Sequence, residues 1–289
     1  MINNNKITAV MFVHNEEKYI NESLCSLLEQ RIPIEKIIVV DDFSTDNTRE
    51  IIRKHERIDL IQNKIKGMAY ACETGLNLVD TELFFLCHGD DVLGKNYVEE
   101  MYKFISDQKI IYAYSNFIMT DADMTPKRFI SKKSYYNKYD LLHDSFTGGY
   151  LFGYSEIIPH LLPFPNGLVF EDWYIAIMLS QRFGGNHVNN KPLFKYRRHS
   201  NSDSTNIQNN KEKYLGLLNR TKDLLVLAKG IVSDDFSSKV IDLRLQYYDA
   251  MLHYTLSRTI RVLTSDLYTW REKLSVSLFP ITLRLKYRG

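Results

Sequence analysis

The chain has 289 residues, 44% of them hydrophobic and 25% charged, a composition that excludes wholesale disorder and suits one large domain or a domain with a helical extension. The net charge of +2 gives no electrostatic case for a nucleic-acid partner. Cys25, Cys72 and Cys87 form no Cys-x-x-Cys pair, which points to reduced thiols in a cytoplasm rather than a disulfide scaffold. Residues 1 to 6 carry no signal-peptide pattern, and no uncharged apolar run reaches the roughly 18 residues of a membrane span. The expectation is a cytoplasmic protein, soluble or attached only to a membrane surface.

The apolar run from Ile7 to Val13 predicts a strand, with Asn15 as a helix cap. Ile20, Leu24, Leu27 and Leu28 follow at the spacing of one helix face. Lys36 to Val40 predicts a second strand. Asp46 is placed to cap a helix through Ile51 and Ile52. A strand over Ile58 to Ile61, a helix from about Gly67 to Leu78 and a strand over Leu83 to Cys87 come next. A helix follows Asn96, with Val98, Met101, Tyr102 and Ile105 on one face, and Ile110 to Tyr114 is a fifth strand. Strands alternating with helices predict a mostly parallel, Rossmann-like sheet flanked by helices, with ligands beyond the carboxyl ends of the strands. Thr120 to Pro165 is irregular and rich in Lys, Tyr and Gly, and Glu171 to Phe183 is a helix. Residues 200 to 206 are a polar linker, and the remainder reads as an all-helical C-terminal extension.

Four clusters carry chemistry. In the run from Ile37 to Thr48, buried apolar residues deliver Asp41 and Asp42 to a sheet edge, where a carboxylate accepts hydrogen bonds from a nucleobase imide or a ribose. The bland reading, a turn and a helix cap, explains Asp46 but not the pair. In Cys87-His88-Gly89-Asp90-Asp91, adjacent carboxylates at a strand end repel. A hard divalent ion would relieve that cost and neutralise a diphosphate; the alternative is a solvated turn. At Phe170-Glu171-Asp172-Trp173, an aspartate at a helix start suits a general base, although acidic residues are favourable there in any protein. Tyr196-Arg197-Arg198-His199 precedes the linker, and its arginines suit oxyanion contacts.

The order and spacing of these clusters, with Val13-His14-Asn15-Glu16 before them, resemble a family 2 glycosyltransferase of the GT-A fold over about residues 6 to 205. The resemblance implies an inverting enzyme that moves a sugar from a nucleoside-diphosphate donor, usually a UDP-sugar, to a glycan or lipid-linked acceptor, in a bacterial surface polysaccharide or lipopolysaccharide pathway. It implies a catalytic domain over 1–205, with the nucleotide-sugar side at about 1–115 and the acceptor side at about 116–205, and a helical region over 206–289. Asp172 matches the catalytic base, with Glu171 beside it. Val13, Asn15, Glu16, Asp41, Asp42, Lys66, Asp90, Arg197 and Arg198 fall on the nucleotide-sugar side, Asp42 at the base-contacting position. Mn²⁺ or Mg²⁺ is implied, with Asp91 the direct ligand and His199 and His88 near it. His88 stands where the family commonly has Asp, which removes a negative charge, and Glu73 stands where Asn or Arg is frequent.

Rival readings are a non-catalytic sugar-nucleotide-binding module and a sugar nucleotidyltransferase. The latter wants a glycine-rich phosphate loop after the first strand, and Val13 to Lys18 contains no glycine. Ser257 to Gly289 holds seven Lys or Arg and two acids, interleaved with Trp270, Leu274, Phe279 and Tyr287. Such a segment suits an anionic membrane surface. Alternatives are packing on the catalytic domain or on a second copy of the chain in a homo-oligomer.

Overall fold

A computed structural model describes residues 6–143, 150–200 and 211–253. The chain forms two compact units, Met1–Asn137 with Phe146–Arg198, and Lys138–Ser145 with His199–Gly289.

The first unit is built on one sheet. Its elements in chain order are β1 (Ile7–Val13), α1 (Ile20–Leu28), β2 (Lys36–Asp41), α2 (Thr48–Ile52), β3 (Ile58–Gln62), α3 (Met68–Leu76), β4 (Leu83–His88), β5 (Val92–Leu93), α4 (Tyr97–Gln108), β6 (Tyr112–Thr120), β7 (Pro126–Ile130) and β8 (Tyr135–Asn137). After α5 (Asp140–His143), which belongs to the second unit, come β9 (Phe152–Tyr154), a 3₁₀ turn (Ser155–His160), α6 (Glu171–Phe183) and β10 (Gly185–Arg197). The strand order is β3-β2-β1-β4-β9-β6-β10-β5, with β7 on β6 and β8 on β10.

β1 pairs in parallel with β2 and β4, and β2 with β3. All seven β1 residues are buried, as expected of a central parallel strand covered on both faces. Ile20, Leu24 and Leu27 of α1 and Val98, Met101 and Ile105 of α4 pack into the same core as Met11, Phe85 and Phe152. The register sets Val13 beside Asp41 and Phe12 beside His88. The loops carrying the acidic clusters therefore leave the sheet along one edge.

The expected parallel half is present, and antiparallel strands extend it. β9 joins β4 to β6, while β5, β7 and β8 line β10 and β6. β6 is displaced toward the C-terminus relative to the expected Ile110–Tyr114, because α4 ends on left-handed Lys109 and the amide of Ile110 still bonds to Ile105. The 13-residue β10 is unanticipated. At Asn189-Asn190-Lys191-Pro192 its pairing with β6 shifts register, the kind of position where a strand tolerates proline. Asn15 does not cap α1, which starts at Ile20 after Tyr19. The N-cap of α2 is Asn47 rather than Asp46, although Asp46 accepts from the amide and hydroxyl of Thr48 at 3.0 and 2.6 Å.

In the second unit α7 (Lys211–Lys229) and α8 (Asp235–His253) pack together. Ion pairs join Lys222 to Asp249 and Lys229 to Asp242, an antiparallel arrangement. Asp234 accepts from the amide of Ser237 at 2.8 Å and from Lys138 at 2.9 Å. Among the described residues no helix is long and apolar enough to cross a membrane. The basic segment from Ser257 onward lies outside the described residues.

Candidate active site

Side chains sew the β1–α1 loop to the β2–α2 loop. The amide of Asn15 donates to Ser44 Oγ at 2.9 Å, that of Glu16 to Thr48 Oγ1 at 2.7 Å and that of Glu17 to Asp46 Oδ2 at 3.1 Å. In return Asn15 Oδ1 accepts from the amide of Thr45 at 2.7 Å, and Glu17 from that of Asn47 at 3.1 Å. Asn15 and Phe43 take left-handed φ values of 57° and 60°, a cost these cross-links offset. Backbone groups with no place in a ladder are thereby satisfied, and the two loops become one rigid rim.

Asp41 and Asp42 divide their work. Asp41, wholly buried, accepts from the amide of Ser44 and lies 3.8 Å from Arg49, so it fixes the turn. Asp42 leans the other way. Its carboxylate accepts from the amide of Gly67 at 2.8 and 3.0 Å and from Asn63 Nδ2 at 2.8 Å. Gly67 has φ 139° at the start of α3, a conformation open to glycine. His14 Nδ1 approaches the carbonyl of Asp42 at 2.6 Å. Val13 is buried and gives its carbonyl to the Asp42 amide, whereas Lys66 is exposed. Asn63 carried no motif signal. Its role follows only from the crossover that sets β3 beside β2.

The His88–Asp91 turn is fastened from behind. Asp91, 2% exposed, accepts from the amide of Arg197 at 2.7 Å and from the hydroxyl of Tyr150 at 2.9 Å. Burial, with Asp90 beside it, pushes its proton affinity well above that of an ordinary carboxylate. Arg197, expected on the nucleotide, is 3% exposed, and all three guanidinium nitrogens donate to protein oxygens: the carbonyls of Asp90 (2.7 Å) and Ala122, and the carboxylate of Glu22. Tyr19 lies under it, with its centroid at 4.6 Å. Arg198 is half-buried near the Met119 sulfur, and His199 is 9% exposed. A Cβ on Gly89 would stand 2.6 Å from Val13 Cγ1, so only glycine lets this turn lie against the end of β1.

Asp172 opens α6 behind a turn held to α3. Glu73 accepts from the amide of Phe164 at 3.1 Å, and the hydroxyl of Tyr70 from the amide of Gly167 at 3.0 Å. Glu73 thus seats the segment leading to Glu171 and Asp172. Glu171 is 8% exposed. Burial raises the pKa of Asp172, opposed by the amide of Trp173 at 2.7 Å and by His88 and Lys132. His88 packs edge-on to Phe12 and Tyr150 at 4.6 and 5.9 Å. Burial lowers its pKa, while Asp90 and Asp172 both raise it. The imidazole therefore lies within electrostatic reach of both carboxylates.

Glu16 and Asp90 present carboxylate oxygens within 4.8 Å of each other. Glu16 Oε2 is buried without a hydrogen-bond partner. Burial and the charges of Asp90 and Asp46 push the Glu16 pKa up to about 9, against the pull of Arg197. Two oxygen donors that repel in the absence of a cation fit a hard divalent ion.

The sheet agrees with what comparison finds. The chain belongs to the glycosyl transferase family 2, whose profile matches residues 8–157, just over half of its length. It is 25% identical over 199 residues to the putative teichuronic acid biosynthesis glycosyltransferase TuaG of Bacillus subtilis, covering 67% of this chain and 79% of that one. Glycosyltransferase GlyA of Streptococcus pneumoniae is 32% identical over 121 residues, 40% of this chain but only 17% of GlyA. The fold is that of S. aureus TarS 1–349, solved in complex with UDP-GlcNAc, with a TM-score of 0.62, 17% identity, and 97% and 88% of the two chains covered.

Proposed function

We propose that the protein is an inverting glycosyltransferase that moves a sugar from a nucleoside-diphosphate donor, a UDP-sugar, to a hydroxyl of a glycan or lipid-linked acceptor in bacterial surface-polysaccharide synthesis. One observation carries the reading. His88, packed against Phe12 and Tyr150, feels the charges of both Asp90 and Asp172, which supports placing the departing diphosphate and the attacking hydroxyl near one another.

Asp42 is the group for the base. Gly67 and Asn63 fix its carboxylate, and its remaining lone pairs suit an imide N–H. The rim formed by residues 13–16, with Asp41 behind Asp42, shapes the nucleoside side, and exposed Lys66 borders it. Asp90 is the carboxylate for a Mn²⁺ or Mg²⁺ ion, in preference to Asp91, whose two oxygens are held by Arg197 and Tyr150. His199, next in the chain after Arg198, is the proposed nitrogen ligand, and His88 borders the site. When bound, such an ion neutralises the departing diphosphate. Arg198, next to Arg197 in the chain, is the cation proposed to lie toward the same charge. Arg197 acts by holding the Asp90 carbonyl in place.

Asp172 takes the proton from the attacking hydroxyl, a role worth about 10²–10⁴-fold in rate. Glu171 beside it keeps the helix start acidic. The raised proton affinity of Asp172 makes it a stronger base than a solvated aspartate. Displacement in line, from the face opposite the diphosphate, inverts the anomeric carbon. The test is UDP release from a panel of UDP-sugars with Mn²⁺, water standing in for the acceptor. The proposal expects one donor to be cleaved, at a rate that falls when Mn²⁺ is removed. Binding without any cleavage would favour the sugar-nucleotide-binding module.

A further inference from the structure

We propose that Glu16 is a direct ligand of the divalent ion and supplies, from the β1–α1 loop, the second carboxylate that His88 does not provide. The inference rests on the proposal that such an ion binds at Asp90.

A divalent ion with hard-oxygen preference gains most from carboxylates. Of the four residues His88-Gly89-Asp90-Asp91, the first is an imidazole wedged against Phe12 and Tyr150, and the second has no side chain. The fourth has one oxygen on the Arg197 amide and the other on the Tyr150 hydroxyl. The carboxylate of this turn that lies beside Glu16 is that of Asp90.

Glu16 stands where a second is needed. Its backbone is pinned, the amide on Thr48 Oγ1 at 2.7 Å and the carbonyl on the amides of Tyr19 and Ile20, both at 2.9 Å. Its Oε2 is buried with no hydrogen-bond partner, an arrangement that is costly unless something outside the chain binds it. A carboxylate oxygen lies within 4.8 Å of one from Asp90. Two ligands of one such ion stand at most about 4.2 Å apart, given metal–oxygen distances of about 2.1 Å, so a small side-chain rotation closes the pair on an ion. Gly89 makes room, since a Cβ there would stand 3.3 Å from Glu16 Cγ.

The test titrates Mn²⁺ alone into the full chain, followed by the loss of the free-ion EPR signal. Wild type binds one ion. Glu16→Gln raises the dissociation constant about tenfold or more, in the range that disrupting a metal site gives, and Asp90→Asn does the same. Glu17→Gln disturbs the same loop through Asn47 and leaves Mn²⁺ binding unchanged. Glu16→Cys covers the case in which Glu16→Gln folds poorly: a thiolate ligand shifts preference from Mn²⁺ to Cd²⁺ at unchanged stoichiometry, which a merely structural residue would not do. If Asp90→Asn loses Mn²⁺ while Glu16→Gln and Glu16→Cys keep it, Glu16 is no ligand and the ion site stands without it. If wild type binds no Mn²⁺ at all, the ion site itself is wrong.

Discussion

Arg197 and Asp90, 107 residues apart, meet through a 2.7 Å hydrogen bond from the guanidinium Nε to the aspartate carbonyl. The last residue of β10 thereby sets the backbone of the acidic turn after β4. The same arginine reaches Glu22 in α1 and the carbonyl of Ala122, so three segments are registered by one buried cation. A substitution here leaves these oxygens without a donor. Arg197→Met is expected to cost about 1–3 kcal/mol per stranded buried group, seen as a lower Tm, and to weaken Mn²⁺ binding. Arg197→Lys keeps the charge but not the fork, and should recover stability more than Mn²⁺ affinity. Calorimetry and Mn²⁺ titration on both variants check this.

Gly89 makes a second, steric prediction. Its missing Cβ is what allows the acidic turn to lie on Val13. Gly89→Ala should leave the sheet intact, since the added methyl lies at a loop, but push Asp90 off its position. Donor cleavage is expected to fall by about tenfold or more, with far-ultraviolet circular dichroism unchanged.

The Glu16 carboxyl gives a stability signature. Its pKa is raised to about 9 in the folded, metal-free protein, so folding holds a proton that the unfolded chain gives up near its ordinary value. Stability from this group is complete at low pH and is lost as pH climbs from about 4.5 toward 9. In chelator, Glu16→Gln should therefore melt higher than wild type at pH 8, with the gap closing by pH 5. A shift of about 2–4 °C per kcal/mol makes this readable by thermal denaturation. A constant gap across that range would mean that Glu16 is not held protonated.

The pH dependence of cleavage follows from Asp172. As the base it acts only when ionised, and burial raises its pKa above that of a free aspartate. The rate should rise with unit slope as pH increases through that raised value and then level off. In Asp172→Glu the midpoint should move along with the rate, which a purely structural carboxylate would not produce.

The parallel half of the fold is legible in the sequence because its strands are continuous apolar runs and its helices keep one face apolar. β1 and α1 are examples. The acidic clusters are legible as pairs, but their internal division is not. Nothing in Asp90-Asp91 says that the second is used up by Tyr150, which arrives from 59 residues away. The same holds for Arg197, whose chemistry suits a phosphate as well as the carbonyls it serves. Asn63, Glu22 and Tyr150 carry no local signal, since their roles exist only after β3, α1, β9 and β10 come together. Glu73 reads as a departure from the family pattern, and the structure gives it a local task in holding Phe164.

The central claim is that Asp42 and Asp90 hold the donor while Asp172 performs the chemistry. Calorimetric titration of UDP with Mn²⁺, paired with donor cleavage on the same samples, tests it most directly. Asp172→Asn should bind UDP within about twofold of wild type and lose cleavage by about 10²-fold or more, whereas Asp42→Ala and Asp90→Asn should lose binding itself. Equal loss of binding in all three, or an Asp172→Asn variant that still cleaves the donor at the wild-type rate, would contradict the account.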